Sequence, residues 1–415
     1  MHFSIIHVLS FGLICFFIYG KYKGFSLYEL LKMSLNGMKS VQTVILTFFL
    51  IGIMTALWRA AGTIPYLVFQ ASKLICPSVF LLMVFILNSL LSFLTGTSFG
   101  TSATIGVICA SIGQTLGFNP ALTGGAILSG AFFGDRCSPV STSALLVSAL
   151  TGTDIYNNIH AMLKSCILPF IISCVIYLTL GLNTSANYNQ LSSFSIFSIF
   201  STMFVLNWVT TIPALAIFLL SLFRANVKLS MITSIFAAAI ICIFVQKMPL
   251  SEIIRTAIIG FHPINGNIEM ISGGGLYSMI RVTLIVLISS SYTDILNKTG
   301  LLGGLRSLIF AISQKTTTTF ATFIASCMTA SISCNQTLTI LLTNQLSKNI
   351  YNDKNDLALD LENSAVVIAP LVPWSIAGAV PLVTIGAPHT SILFSFYLIL
   401  IPLFSIIHAS VKNKA

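Results

Sequence analysis

Five carboxylic acids lie in or beside apolar sequence, and their chemistry gives the first indication of what this chain does. Only ten acidic residues occur in the whole sequence. An ionised carboxylate in apolar surroundings is unfavourable unless it is paired or binds a cation, so each of the five is a functional candidate. They are Asp135, Asp154, Asp294, Asp360 and Glu362.

Asp135 is the strongest candidate because other polar groups surround it in the sequence. It belongs to residues 130–142, where an apolar run is followed by Asp135, Arg136 and a proline. With its neighbouring hydroxyls the carboxylate offers the hard oxygen ligands that a cation such as Na⁺ prefers, and it could instead carry a proton. The hydroxyls belong to Ser138, Ser141 and Thr142. The structural alternative is an Asp135–Arg136 pair, which requires a break because adjacent helical residues do not face each other.

Two other carboxylates are weaker candidates for ion binding. Asp154 ends the polar run 151–154 and could instead cap a helix at the membrane edge. Glu362, with Asn363 and Ser364, precedes a second proline-rich zone and occupies the place in the second half that Asp135 has in the first. We expect an interfacial role for Asp294.

Two uncharged patches complete the candidate site. The first includes Thr97 and Ser98, and the second consists of Asn335, Gln336 and Thr337. Small hydroxyl residues can also serve close helix packing, which is the alternative for the first patch. Two adjacent amides in apolar sequence need hydrogen-bond partners, so we expect Asn335 and Gln336 to face the same cavity as Asp135.

The composition requires a membrane around these residues. Hydrophobic residues make up 56% of the chain and charged residues 7%, whereas a soluble domain carries roughly 25% charged residues. In a bilayer every backbone polar group must be paired internally, which leaves helices or a closed barrel. Long unbroken apolar runs, such as 41–57 and 229–245, predict an all-α polytopic integral membrane protein whose main partner is the lipid bilayer.

The apolar runs predict about 10–12 transmembrane segments. Two zones, 95–154 and 334–389, are apolar but too rich in glycine, proline and hydroxyl residues for clean helices. Lysines between residues 21 and 39 mark a cytoplasmic loop after the first span. The predicted spans lie near 3–19, 41–58, 77–94, 165–182, 204–223, 229–246, 276–296, 301–313, 318–333 and 390–409.

The two broken zones are related, which predicts an internal duplication. Gly62 and Gly300 follow corresponding spans, and Pro139-Val140-Ser141 matches Pro373-Trp374-Ser375 with a similar shift along the chain. Transporters are commonly built from inverted repeats whose broken helices meet at the substrate site. We therefore predict one transmembrane domain over 1–415, with inverted repeats at 41–182 and 279–410.

Several other classes of function are disfavoured. The net charge of +10 comes from Lys and Arg spread singly between apolar runs, which indicates membrane anchoring and not nucleic-acid binding. The nine cysteines show no CxxC spacing and the histidines do not cluster, so no resident metal is expected. No ATP-binding motif, catalytic constellation or cofactor site is present, and an enzyme is not expected.

The motifs resemble those of the Na⁺/H⁺ antiporter NhaC family. The resemblance is carried by segments 58–65, 97–104, 130–154, 334–337 and 361–374, and it extends over most of the chain. It implies a multi-pass secondary transporter in the cytoplasmic membrane that exchanges Na⁺ and H⁺. Some members of this family exchange organic substrates, including malate for lactate.

Two positions depart from the family pattern. The family commonly has an acidic residue where this chain has Thr142, and another where it has Asn363. Fewer negative charges should weaken a bare cation site. A transporter for an organic ion or amino acid, driven by Na⁺ or H⁺, is therefore the second hypothesis. A channel or receptor is a third, disfavoured by the two broken zones.

Overall fold

The fold is helical throughout the part of the chain that the computed structural model describes. Within that part, the only bridge between extended segments joins Phe261 and Gly273. The prediction of an all-α protein is therefore confirmed. The described residues are 5–40, 42–74, 77–139, 141–185, 203–223, 227–262, 273–291, 293–299, 303–333 and 335–412. Val140, Gly300 and Cys334, which belong to the motifs quoted above, lie outside these ranges.

The first ten helices include the first predicted repeat, which begins with the third of them. The sixth and seventh are joined by a π-helical segment, Ser102–Gly106. The helices are α1 (Ile5–Tyr22), α2 (Leu27–Ser40), α3 (Gln42–Ala60), α4 (Thr63–Leu74), α5 (Phe80–Thr95), α6 (Ser98–Thr101), α7 (Val107–Thr115), α8 (Pro120–Cys137), α9 (Thr142–Thr151) and α10 (Ile155–Ser185).

The remaining described helices form a connecting group and the second predicted repeat. The connecting group is α11 (Ile212–Leu222), α12 (Val227–Phe244) and α13 (Leu250–Ile259). The second repeat contains α14 (Leu276–Ser291), α15 (Thr293–Lys298), α16 (Gly303–Lys315), α17 (Thr318–Ser333), α18 (Gln336–Ser347), α19 (Lys354–Asn363), α20 (Ala365–Ile368), α21 (Ile376–Thr384) and α22 (Phe396–Lys412).

The zones that we expected to lack clean helices are in fact mostly helical. Zone 95–154 forms α6 to α9, and zone 334–389 forms α18 to α21. Their glycine and hydroxyl residues do not prevent helix formation, and hydroxyl groups within the helices bond to carbonyls one turn back. Thr101 Oγ1 donates to the Thr97 carbonyl at 2.8 Å, and Ser102 Oγ to the Ser98 carbonyl at 2.9 Å.

Helical segments end at the Ser-Pro and Val-Pro positions that define the two predicted repeats. Helix α8 ends at Cys137, and Ser141 caps α9; a 3-10 turn ends at Leu371, and Ser375 caps α21. A proline lacks the amide donor that would continue a helix, and a serine accepts the unpaired amides that begin the next one. Inverted topology of the two halves stays a prediction.

Few of the helices meet the length expected for a complete membrane crossing. Ile155–Asn183 is long and apolar enough by itself, and the pair Lys354–Leu371 and Ile376–Thr384, bent by 55°, would form a second span. The other apolar helical stretches found within the described residues, such as Phe80–Thr95, contain 10–17 residues, whereas a crossing needs about 20. The predicted number of transmembrane segments therefore stays a prediction.

The largest core surrounds α8. Helix α8 packs on α5 so closely that Ser92 Oγ donates to the Ala131 carbonyl. On its other side lies an aromatic cluster, in which the ring centres of Phe133 and Phe170 are 4.9 Å apart and those of Phe133 and Tyr397 5.5 Å apart. This core positions the carboxyl-terminal end of α8, where Asp135 lies.

Candidate ion-binding site

Asp135 lies in the last turn of α8, immediately before the interruption between α8 and α9. Its side chain is only 4% exposed. Asn119 caps the start of the helix by accepting the Ala121 amide at 2.8 Å, and Pro120 occupies the first turn. These features determine where α8 begins, and so they help to place Asp135 in its last turn.

The Asp135 carboxylate is held by uncharged donors from three parts of the chain. Gln336 Nε2, in the first turn of α18, donates to Oδ2 at 3.1 Å. Ser141 Oγ donates to Oδ1 at 3.3 Å. The backbone amide of Ser98, at the start of α6, lies near the carboxylate. Three interruptions of helical structure therefore lie close to this carboxylate, and no Lys or Arg of the described residues forms a salt bridge with it.

Arg136 does not pair with Asp135, although the two residues are adjacent. Its Nε donates to the Glu362 carbonyl at 3.3 Å, and Nη2 donates to Ser165 Oγ at 2.9 Å and to Asn363 Oδ1. Its Nη1 donates to the Met162 carbonyl, Cys137 Sγ and Tyr397 Oη. In the described residues the single salt bridge joins Lys298 to Asp294 at 3.6 Å, so the alternative of a self-neutralising pair is not supported.

Glu362 is a second buried carboxyl group beside Asp135 and Arg136. Its side chain is 0% exposed, and neither carboxylate oxygen has a hydrogen-bond partner among the described residues. Both Asp135 and Arg136 lie close enough to act on it electrostatically. A buried carboxyl group without donors is uncommon in folded proteins and indicates a functional position.

Residues next to Glu362 connect this group to the rest of the second repeat. Asn363 Oδ1 accepts from Arg136, and its Nδ2 donates to Ser405 Oγ at 3.2 Å. Ser364 Oγ donates to the Asp360 carbonyl at 2.5 Å and accepts from Ser326 Oγ at 2.8 Å. Asn363 and Ser364 therefore position α19 against α8, α17 and α22.

The first uncharged patch contributes through its backbone and one free hydroxyl. Gly96, with φ 68°, turns the chain after α5, which glycine does without strain. Ser98 then presents its amide to Asp135. The Thr97 hydroxyl is buried and has no hydrogen-bond partner in the described part of the chain, so it is available to a ligand.

Four predicted residues do not contribute side chains to this cluster. Asp154 is exposed and accepts the Tyr156 and Asn157 amides at 3.0 Å, so it is a helix cap, as the structural alternative proposed. Asn335 likewise caps α18. Thr142 and Thr337 are exposed on the first turns of α9 and α18. Ser138 is fully buried in the interruption between α8 and α9.

Three residues in and around the cluster were not singled out from the sequence as site residues. Tyr397 and Ser165 hold Arg136, and Asp360 lies one turn before Ser364. A signal for Asp360 existed, because residues 356, 360 and 364 share one face of a helix and are all polar. Nothing in the sequence indicated that α10 and α22 would approach Arg136.

The arrangement at Asp135 places one carboxylate among neutral donors. No group of three or more His, Cys, Asp or Glu side chains within the described ranges could hold a metal ion. One carboxylate with amide and hydroxyl neighbours can instead bind a proton or a weakly held monovalent cation. Interrupted helices near a buried carboxylate are a common construction of secondary transporters.

The chain belongs to the Na⁺/H⁺ antiporter family, whose model matches residues 1–154 and 133–411. It is therefore a membrane transport protein of the antiporter type. It is 29% identical to the Na⁺/H⁺ antiporter NhaC of Alkalihalophilus pseudofirmus, over 94% of this chain and 86% of that protein. It is 28% identical to a malate-2H⁺/Na⁺-lactate antiporter of Bacillus subtilis, over 85% and 77%. It is 27% identical to the arginine/ornithine antiporter ArcD of Halobacterium salinarum, over 88% and 77%.

Proposed function

We propose that the protein exchanges Na⁺ for H⁺ across the cytoplasmic membrane, and that Asp135 carries the exchanged charge. The observation that supports this most directly is the environment of Asp135, a buried carboxylate at a helix interruption with only uncharged donors. A proton or a Na⁺ ion would each neutralise it. Because the two would compete for one carboxylate, binding of one releases the other, which is the basis of exchange.

Na⁺ and H⁺ can compete for Asp135 because the Arg136 guanidinium forms its hydrogen bonds with other groups. All of its nitrogen atoms donate to groups other than Asp135. If the guanidinium turned towards Asp135, it would neutralise the carboxylate permanently and exclude a cation. The neutral acceptors on α10, α19 and α22 keep it away. Glu362 is a second carboxyl group that could take up a proton in the same cycle.

The experiment is a reconstitution in liposomes with simultaneous measurement of internal pH and ²²Na⁺ flux. We expect a Na⁺ gradient to drive proton movement in the opposite direction. Asp135→Asn keeps the shape and removes the charge, so it should abolish coupled flux while the protein still inserts and purifies normally. Flux at the wild-type rate with unchanged pH dependence would assign the coupling charge to Glu362 instead.

A second candidate is exchange of an organic ion or amino acid coupled to Na⁺ or H⁺. Thr142 and Asn363 favour this candidate, because they are neutral residues at positions where the NhaC resemblance leads us to expect acidic ones. Two of the relatives are also named for organic substrates. In the same liposomes, malate, lactate, arginine and ornithine should be supplied singly. Flux that requires one of them would favour this candidate over simple cation exchange.

A further inference from the structure

A large cavity lies between α10, α17, α19 and α22, beside the candidate ion-binding site. Its volume is about 930 Å³. Its wall includes Ser165 and Asn363, which contact Arg136, so it reaches the edge of the central cluster. Its opposite margin is formed by residues 316–319 and His408, at the ends of helices.

Asp360 is the buried carboxylate in this cavity, and hydroxyls from three parts of the chain converge on it. Tyr351 Oη donates to Oδ2 at 2.6 Å, Thr319 Oγ1 donates to Oδ2 at 2.7 Å, and Ser405 Oγ donates to Oδ1 at 3.4 Å. Asp360 is 8% exposed. Its carboxylate has no basic partner within salt-bridge distance among the described residues. A carboxylate ringed by hydroxyl oxygens in an open cavity is a set of ligands for a partly hydrated monovalent cation.

A chain of hydrogen bonds joins the Asp360 carboxylate to Arg136 in the central cluster. Ser405 Oγ lies between Asp360 and Asn363, donating to the first and accepting from the second at 3.2 Å. Asn363 in turn accepts from Arg136, the neighbour of Asp135. The path runs along one face of α19, from Asp360 to Asn363. Oxygen atoms of Ser405 and Asn363 therefore line the way from Asp360 to the edge of the central cluster, where the Arg136 guanidinium lies.

The charges around the cavity indicate which side of the membrane it faces. Lys164 lies in the cavity wall, Lys315 ends α16 directly before the lining residue Thr316, Lys354 begins α19, and Lys412 ends α22. The ends of α16, α19 and α22 therefore carry lysines where they gather at this margin. Lysines near the ends of membrane helices are enriched on the cytoplasmic side.

We propose that this cavity is the cytoplasmic approach to the ion-binding site and that Asp360 binds the cation on the way. The proposal rests on the proposed function, because it names a site that the exchanged cation occupies before Asp135. Asp360 takes no part in the coupling step. It raises the local concentration of the cation at the entrance and does not carry the exchanged charge.

The first test does not depend on transport. A cysteine introduced by Ala409→Cys, in the cavity wall one turn beyond Ser405, is treated with membrane-impermeant thiosulfonates of similar size, one cationic and one anionic. The parent protein provides the background from native cysteines. We expect reaction from the cytoplasmic side only, and we expect Asp360→Asn to lower the cationic-to-anionic rate ratio about threefold or more. Asp353→Asn, which keeps a helix cap outside the cavity, should leave the ratio unchanged.

The second test measures ²²Na⁺ uptake from the cytoplasmic side in oriented vesicles. Asp360→Asn should raise the Na⁺ concentration at half-maximal rate severalfold while the maximal rate is kept, whereas Asp135→Asn loses the maximal rate. Reaction of the cysteine from the outer side, no reaction with either reagent, or a rate ratio insensitive to Asp360 would overturn the proposed cavity. An unchanged half-saturation in Asp360→Asn would overturn the cation site. If the wild type transports no Na⁺ but the cysteine reacts as expected, Na⁺/H⁺ exchange is wrong and the proposal of a charged cavity open to the cytoplasm is kept.

Discussion

Asp135 and Arg136 show how two adjacent residues can serve separate purposes at the end of one helix. Successive side chains on a helix point about 100° apart, so Asp135 faces α18 while Arg136 faces α10, α19 and α22. The sequence identified Asp135 because a carboxylate, hydroxyls and a proline occur together. It could not predict the partners of Arg136, such as Tyr397, because they come from residues far along the chain and depend on the tertiary packing.

A substitution at Gln336 tests the geometry around Asp135 most directly. Its Nε2 donates to both Asp135 Oδ2 and the Val366 carbonyl. Gln336→Leu removes a donor to a charged acceptor, an interaction worth about 1.5–3 kcal/mol. If this interaction helps to hold the carboxylate in its ion-binding orientation, the apparent Na⁺ affinity should fall about tenfold or more, measured as the half-saturating Na⁺ concentration for flux in liposomes.

A matched control is Gln114→Leu, which makes the same replacement at an exposed position on α7. It should leave the half-saturating Na⁺ concentration unchanged. If both replacements have the same effect, or if neither has any, Gln336 is a packing residue and the contact with Asp135 does not contribute to ion binding.

At the scale of the helices, small residues set the position of the site. The last turns of α8 lie directly on the backbone of α5, since a Cβ added to Gly134 would lie 2.1 Å from the Phe93 nitrogen and the Ser92 carbonyl carbon. Gly134 therefore allows an approach that no other residue permits, and Asp135 follows it. The hydroxyls of Thr101 and Ser102 in the first patch bond to carbonyls one turn back in their own helical segment.

Gly134→Ala should destabilise the protein by more than the usual 1–3 kcal/mol of an overpacked core, because backbone atoms must move apart. The measurement is the apparent unfolding temperature of the purified protein in detergent, together with its yield as a monodisperse species. Gly12→Ala is the control, since a Cβ there meets nothing within 4 Å. Equal unfolding temperatures for the two variants would contradict the close packing of α5 and α8.

The sequence indicated where helices would be interrupted, but it did not indicate the helices on either side of the interruptions. Pro139 and Ser141 marked the first interruption, and Pro373 and Ser375 the second, because a proline removes an amide donor and a serine caps the helix that follows. The helices of zones 95–154 and 334–389 were missed. Their residues have weak intrinsic preference for helix, and contact between helices, which a single sequence does not reveal, overrides that preference.

At the scale of the whole molecule, composition alone determined the class of fold. A chain with 7% charged residues has too few charges to face water over its surface. The structure agrees, because long stretches of α10 expose apolar side chains such as Ile167, Ile171 and Val175. The number of crossings did not follow in the same way. Hydrophobic runs such as 77–94 include turns, and the helix inside that run begins only at Phe80.

A ligand that binds only the folded protein stabilises it, and this gives a test of ion binding that needs no transport. At a Na⁺ concentration 100 times the dissociation constant, the free energy of unfolding should rise by about 2.7 kcal/mol. We therefore expect the apparent unfolding temperature of the purified wild type to increase with added NaCl, and to keep rising with the logarithm of the Na⁺ concentration above the dissociation constant. Choline chloride at equal concentration controls for ionic strength.

The same titration separates the two carboxylates that lie along the proposed path. Asp135→Asn should lose most of the Na⁺-dependent increase, because the charge of the central site is gone. Asp360→Asn should keep most of it, because Asp360 binds the cation only on the approach and the central site stays intact. Lower pH should reduce the increase in the wild type, since protons compete with Na⁺ for Asp135. An increase that is identical in NaCl and choline chloride, or that survives in full in Asp135→Asn, would show that Na⁺ does not bind at this carboxylate.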